Sequence, residues 1–275
     1  MWIFNSIFGK IFEIIFIPFR SLSPWVGMTL ISLLTGLLML LIFRYTSNQE
    51  GIRKVKNKIK AHLLELRLFK DSLALSLKAQ GNIFRSNIKY IGYSGKPLLV
   101  MIVPLILILI QLNFWFAYQS LQPGEITILK VKVQEGQNIL DLELKIEPPR
   151  SLAIETLPLR IEEQQEINWR LRAKEGGLHS LVFRINGQSF VKKVSVAQKP
   201  LSRISPLRVR RNFIDELFNP GEAPISKDIP VKSIEVKYPN KNMNLFGWHI
   251  HWIIVYFALS IIFGFALKGV LKVEI

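Results

Sequence analysis

The 275-residue chain reads as an α-helical membrane protein of three transmembrane helices, with a β-sandwich inserted between the second and third. Three observations predict this. Apolar residues gather into long uncharged blocks, a strongly basic segment separates the first two blocks, and the stretch after the second switches to a two-residue alternation. Mean hydropathy is +0.27, higher than a soluble domain of this size usually carries, because its surface must be polar. Cys is absent and the 16 Gly follow no period, which excludes collagen, disulfide scaffolds and thiolate chemistry.

Residues 1–23 come first. Phe4, Phe8, Phe12 and Phe16 recur every four positions beside Trp2, Ile11 and Ile15, while Asn5, Lys10 and Glu13 break the run. This pattern predicts an amphipathic helix lying in the membrane interface. A cleaved signal peptide would need a basic start and a small-residue cleavage site, and neither is evident. Residues 24–44, 97–118 and 246–268 are the three predicted spans, each near the 20 or so residues needed to cross the hydrocarbon. Trp25, Trp115, Tyr118, Trp248 and Trp252 near their ends fit interfacial aromatic belts.

Between the first two spans, residues 45–96 predict a basic helical hairpin of coiled-coil type. Ile52, Val55, Ile59, Leu63, Leu66 and Phe69 form one apolar series, and Leu73, Leu77, Ile83, Phe84, Ile88 and Ile91 a second. Plain helix–helix packing is the expected role of both. The tip falls near 69–72, where Asp71 and Ser72 can cap the second helix, with Gly81-Asn82 as the rival turn. Residues 122–198 then alternate in period two, with strands expected at 126–133, 139–146, 152–160, 166–173, 178–185 and 188–196. Asn186-Gly187 supplies a tight-hairpin turn. So many short strands predict a small sandwich of immunoglobulin-like type. Residues 199–245, richer in Pro, read as an extracytoplasmic linker with one helix near 209–218, expected to pack on the sandwich or to lead back to the membrane.

Charge orients the chain. Residues 44–97 hold twelve Lys/Arg against Glu50, Glu65 and Asp71, net +9, whereas 119–245 hold twenty basic and fifteen acidic residues over a much longer stretch. Short basic loops stay inside. The expected topology in a cell (inner or plasma) membrane therefore has the N-terminus outside, 119–245 outside and the C-terminus cytoplasmic. The net charge of +16 then serves orientation and anionic partners such as lipid, and no module for sequence-specific nucleic-acid recognition is evident.

Enzyme chemistry finds no support in the motifs. The four His are His62, His179, His249 and His251. His249 and His251 lack a nearby carboxylate to complete a metal set, and no P-loop, G-x-S-x-G, H-E-x-x-H or G-x-G-x-x-G is present. A non-enzyme without metal or cofactor is expected. Polar residues inside the spans are the better candidates, since lipid tolerates them only against a partner or a wet cavity. They are Thr29, Ser32 and Thr35 in the first span, beside Gly36, and Gln111 and Asn113 in the second. Arg44 closes the first span, where a snorkelling anchor is the simplest role.

The order of parts resembles the YidC/Oxa/Alb insertase superfamily, in its three-span form the insertase subunit of the ER membrane complex and its prokaryotic relatives. The residues that carry this are the 17–24 approach Ile-Pro-Phe-Arg-Ser-Leu-Ser-Pro, the span ending Phe43-Arg-Tyr-Thr46, the basic hairpin, and a second span with Pro97 at its start and Pro104 within. The resemblance covers roughly residues 1–120. It implies a cytoplasm-open groove lined by Arg44, Thr29, Ser32, Thr35, Gln111 and Asn113, with Arg44 attracting acidic client flanks. It also implies that Arg53, Lys54, Lys56, Lys58 and Lys60 recruit nascent or client membrane proteins, or the ribosome. The bacterial insertases of that superfamily carry five core spans and place their β-domain ahead of the core, so a complete groove is expected to need another membrane subunit. The rival expectation is a non-catalytic anchored scaffold whose β-sandwich binds an envelope partner.

Overall fold

A computed structural model describes residues 2–185, 187–245 and 247–274, with side chains from Ser6 onward. The chain divides into two units, one of residues up to Gly27 with Leu109–Trp252, the other of Met28–Ile108 with Ile253 onward.

The first unit begins with α1 (Trp2–Phe16). Its Phe stripe points into the protein. Phe12 and Phe16 are buried, and Phe16 packs its ring 4.8 Å from Trp115 and 5.7 Å from Phe116. The side chains of Trp2, Phe4 and Asn5 lie outside the described set. The opposite face, Ile7, Ile11, Ile14 and Ile17, is exposed, so the apolar residues left for an interface are these isoleucines rather than the phenylalanines.

The β part contains two antiparallel sheets. One runs β3 (Leu152–Ile154), β5 (Glu166–Ala173), β1 (Ile126–Val133), β9 (Val231–Val236), β8 (Leu207–Val209), with β4 (Leu159–Ile161) also paired to β5. The other runs β2 (Lys145–Glu147), β6 (Gly177–Ile185), β7 (Gln188–Val196). Alternation explains the split of faces: in β1 Leu129, Val131 and Val133 are buried, in β6 Leu181, Phe183 and Ile185, and all join one core with Trp169. Asn186 lies outside the described residues; Gly187 has a positive φ of 75°, a conformation that glycine adopts without penalty.

Two expectations are corrected here. Residues 139–146 are mostly loop: Asn138 accepts from the Leu140 amide at 3.1 Å, a local side-chain turn that competes with a strand, and Ile139 and Leu142 plug the core from it. Residues 199–245 are no linker, for β9 sits inside the larger sheet between β1 and β8. Its partner lies about a hundred residues away, and a short Pro-flanked alternation gives little local signal for such pairing. The helix expected at 209–218 shrinks to α5 (Phe213–Phe218), with its apolar Phe213, Ile214 and Phe218 exposed and α1 against it.

Cations ring the last turn of α4 (Leu73–Phe116). Arg20 lies 5.8 Å over Trp115, Arg203 5.7 Å over Phe114, and Lys241 5.9 Å over Phe116, distances at which a ring face attracts a cation. Arg20 also donates to Glu13 at 2.8 Å, and Lys241 donates to the Pro200 carbonyl. Burial nevertheless lowers the Lys241 pKa to about 8. Between there and the ordinary lysine range near 10.5, the folded chain binds fewer protons than the unfolded one. The unit therefore gains stability as pH rises through that window, by at most ~3 kcal/mol. Denaturant midpoints at pH 7.5 and 10 should converge in Lys241→Met relative to the unaltered chain; an unchanged difference would remove Lys241 as the cause.

The second unit is helical: the body of α2 (Pro24–Thr46), α3 (Gln49–Leu68), α4 up to Ile108, and α6 (Trp252–Leu267) with its tail. Two helices, α2 and α4, are long and apolar enough to cross a membrane. At 16 residues α6 is shorter, about 24 Å against the ~30 Å of a hydrocarbon core. The third predicted span begins too early, since residues 243–250 form the β10 (Met243–Leu245) and β11 (Trp248–Ile250) hairpin; Phe246 lies outside the described residues.

The hairpin tip falls where expected, between Leu68 and Leu73, and Gly81-Asn82 stays helical. The Asn48 side chain caps α3, accepting from the Gly51 amide at 2.8 Å. Gly95-Lys96-Pro97 does not separate hairpin from span: α4 is one helix of 44 residues through Pro97 and Pro104. A proline deletes one i to i−4 bond and crowds one carbonyl, which a long helix survives when the freed group finds other partners. Helix–helix packing accounts for Ile52 and Val55, both buried, but fails farther out. Leu68, Leu73 and Phe84 are 74%, 76% and 68% exposed, so the hairpin presents an apolar surface.

Candidate functional site: a groove in the helical unit

Small residues bring α2 and α6 together. Ser32 and Gly36 lie one turn apart on α2, Ser260 and Gly264 one turn apart on α6. A Cβ on Gly36 would stand 3.0 Å from the Ser260 carbonyl oxygen and 3.2 Å from the Gly264 nitrogen, so only glycine permits this approach. Ser32 Oγ donates to the Tyr256 carbonyl at 3.5 Å. This is small-residue packing of the kind membrane helices use.

Beside that contact the helices diverge around a cavity of about 570 Å³, walled by α2 (Thr35, Met39, Phe43), α4 (Leu98, Ile102, Leu105) and α6 (Tyr256, Ser260, Ile261). It opens sideways, because Leu98, Ile102 and Ile261 on its rim are about half exposed. The lining is aliphatic and aromatic apart from three hydroxyls. Tyr256 Oη lies beside Thr35 and Ser260, and these three buried oxygens make no hydrogen bond of normal geometry. These oxygens have almost no exposed surface and face one another, so the hydroxyls belong to the α2–α6 contact and the cavity itself presents hydrocarbon. Chemically the cavity offers apolar contact along its length.

Of the six residues expected to line a groove, Thr35 alone lines this one. Ser32 is buried at the helix contact. Thr29 is exposed, and so is Arg44, one residue beyond the lining Phe43. Gln111 is buried with its Oε1 lacking a partner; it and Asn113 belong to the other unit. Sequence reasoning missed Tyr256 and Ser260, although Ser260-x-x-x-Gly264 was a readable small-residue spacing.

The hairpin lysines differ among themselves. Lys54 pairs with Glu50 at 2.6 Å and Lys56 with Glu274 at 3.0 Å. The Lys56 ammonium holds the Glu274 carboxyl below its ordinary range, and the Glu274 amide donates to Gln49 Oε1 at 2.7 Å. Lys56 thus fastens the C-terminal tail to α3. Lys58, Lys60 and Arg53 make no ion pair among the described residues.

Histidines do structural work: His62 Nδ1 lies 2.9 Å from Glu65, and His179 joins Ser151 Oγ and the Glu175 carbonyl, each at 2.8 Å. Among the described residues no three His, Asp or Glu converge as a metal site. Compared with known proteins, the chain matches no family model and no curated sequence.

Proposed function

We propose that the protein is a membrane-embedded insertase or chaperone of the YidC/Oxa/Alb kind, without covalent chemistry, that shelters an apolar client segment in the α2–α4–α6 groove. The observation that carries this is the laterally open, almost wholly apolar cavity of about 570 Å³. A hydrocarbon-lined recess open on one side suits a mostly apolar helix whose backbone is already hydrogen-bonded within itself. Arg44, exposed beside Phe43 at the end of α2, is positioned to meet an acidic flank at the mouth. In this reading three helices span, α6 with local thinning of the bilayer. The hairpin is cytoplasmic, and the exposed isoleucines of α1 lie in the outer interface.

Reconstitution tests it. Proteoliposomes holding the chain should insert a short-tailed, N-out client severalfold above empty liposomes, and Arg44→Ala should slow clients with acidic flanks more than neutral ones. Insertion no better than in empty liposomes would overturn the reading.

One observation favours the scaffold alternative. Leu157 and Leu159, in and beside the β4 edge, are 88% and 61% exposed, an apolar edge of the sort that recruits partners. Under that reading Leu157→Asp with Leu159→Asp abolishes function while leaving insertion untouched.

A further inference from the structure

A second cavity, of about 490 Å³, lies between α3 and the hairpin part of α4. Lys54 and Lys58 line one wall, Arg85 and Lys89 the other, with Asn57 and Asn82 between. On each helix the two cations stand at i and i+4, about 5–6 Å apart, where like charges repel. No carboxylate lines the cleft. Lys54 has Glu50 on its outer side, while Lys58, Arg85 and Lys89 have no carboxylate partner among the described residues. Glu65 engages His62 at the far end and Glu50 engages Lys54 at the near end, which leaves Lys58, Arg85 and Lys89 as the cleft cations with no carboxylate among the described residues. Three unpaired cations with Lys54 beside them, facing one another across a polar cleft, favour a compact ligand with more than one negative charge, and the guanidinium fork with neutral donors beside it matches phosphate oxygens.

Depth along α4 narrows the source. Lys89 precedes Leu98, where the unbroken apolar run starts, by nine residues, and Tyr93, also lining the cleft, by five. At 1.5 Å per residue the near end lies about 7–14 Å from the hydrocarbon, at or just beyond the headgroup layer. We propose that this cleft binds the headgroup of an inner-leaflet phospholipid carrying two or more phosphates. The inference rests on the membrane orientation given above, and not on client insertion.

Binding by the full chain is measured by native mass spectrometry and in nanodiscs. The probes are cardiolipin (two phosphates), phosphatidylglycerol (one phosphate) at matched total charge, and soluble pyrophosphate. Cardiolipin should be retained preferentially. Arg85→Gln with Lys89→Gln should weaken it roughly thirtyfold, the effect of removing two cations near an anionic surface. Lys70→Gln with Lys78→Gln, on the same hairpin but outside the cleft and, for Lys78, about 30 Å from the apolar run, should change it little. Equal loss in both variants, or no preference for cardiolipin, would overturn the proposal. Pyrophosphate binding as tightly as the lipid would overturn the membrane source. Because insertion is assayed separately, failure here leaves the groove reading standing, and the reverse holds too.

Discussion

Glu222→Ala is expected to destabilise the β unit by ~3–5 kcal/mol, enough to unfold a domain of ordinary stability. Lys192, on β7, has no exposed surface. Its ammonium donates to Glu222 and to the Ser205 carbonyl at 2.6 Å, and the other Glu222 oxygen accepts from the Lys193 amide at 3.0 Å. Removing the carboxylate strands a buried cation and an amide together. Hydrogen exchange along β6 and β7 reads the loss as protection lowered at least a hundredfold. Burial pushes the Lys192 pKa below the usual lysine range, so in the variant the unfolded chain holds its proton to higher pH than the folded one. Stability therefore rises with pH, and the deficit of Glu222→Ala shrinks as pH approaches 10. Lys192→Met with Glu222→Leu keeps the volume and removes both charges, and should recover most of the loss. A double variant as weak as the single one would show that the site depends on shape rather than on charge.

That pair was invisible in the sequence, because thirty residues separate its members and nothing local marks either. What could be read was whatever depends on neighbours in the chain. The uncharged lengths of α2 and α4, the tip between Leu68 and Leu73, and the alternation in β1, β5, β6 and β7 all follow from spacing of 3.6 or two. What was misread depends on distant partners. Alternation in Val231–Val236 means little until β1 lies alongside, and the Phe stripe of α1 looked lipid-facing until Trp115 and Phe116 covered it. Pro97 reads locally as a break, yet the helix continues through it. The groove shows the same division. Ser32, Thr35 and Gly36 were legible as one small, polar face, but which of them packs and which lines a cavity was decided by Ser260 and Gly264 on a helix more than two hundred residues away.

Ile102→Trp is expected to leave the chain folded and to cut client insertion about tenfold, equivalent to ~1.4 kcal/mol of client affinity. Ile102 lines the groove yet is 46% exposed, so an indole there can rotate into the opening without displacing a packed neighbour. On the proposed insertase reading it takes up space the client needs. Val103, the next residue, is 63% exposed and outside the lining; Val103→Trp adds the same bulk away from the groove and should insert normally. Gly36→Val would be a poor substitute, because its side chain meets backbone atoms of α6 at 3.0 and 3.2 Å and so disturbs the helix contact itself. A photocrosslinker at Ile261, on the opposite rim, should capture the client in Val103→Trp and lose it in Ile102→Trp. Equal capture in the two variants would mean that clients pass elsewhere, and the cavity would then be a packing defect between three helices rather than a route.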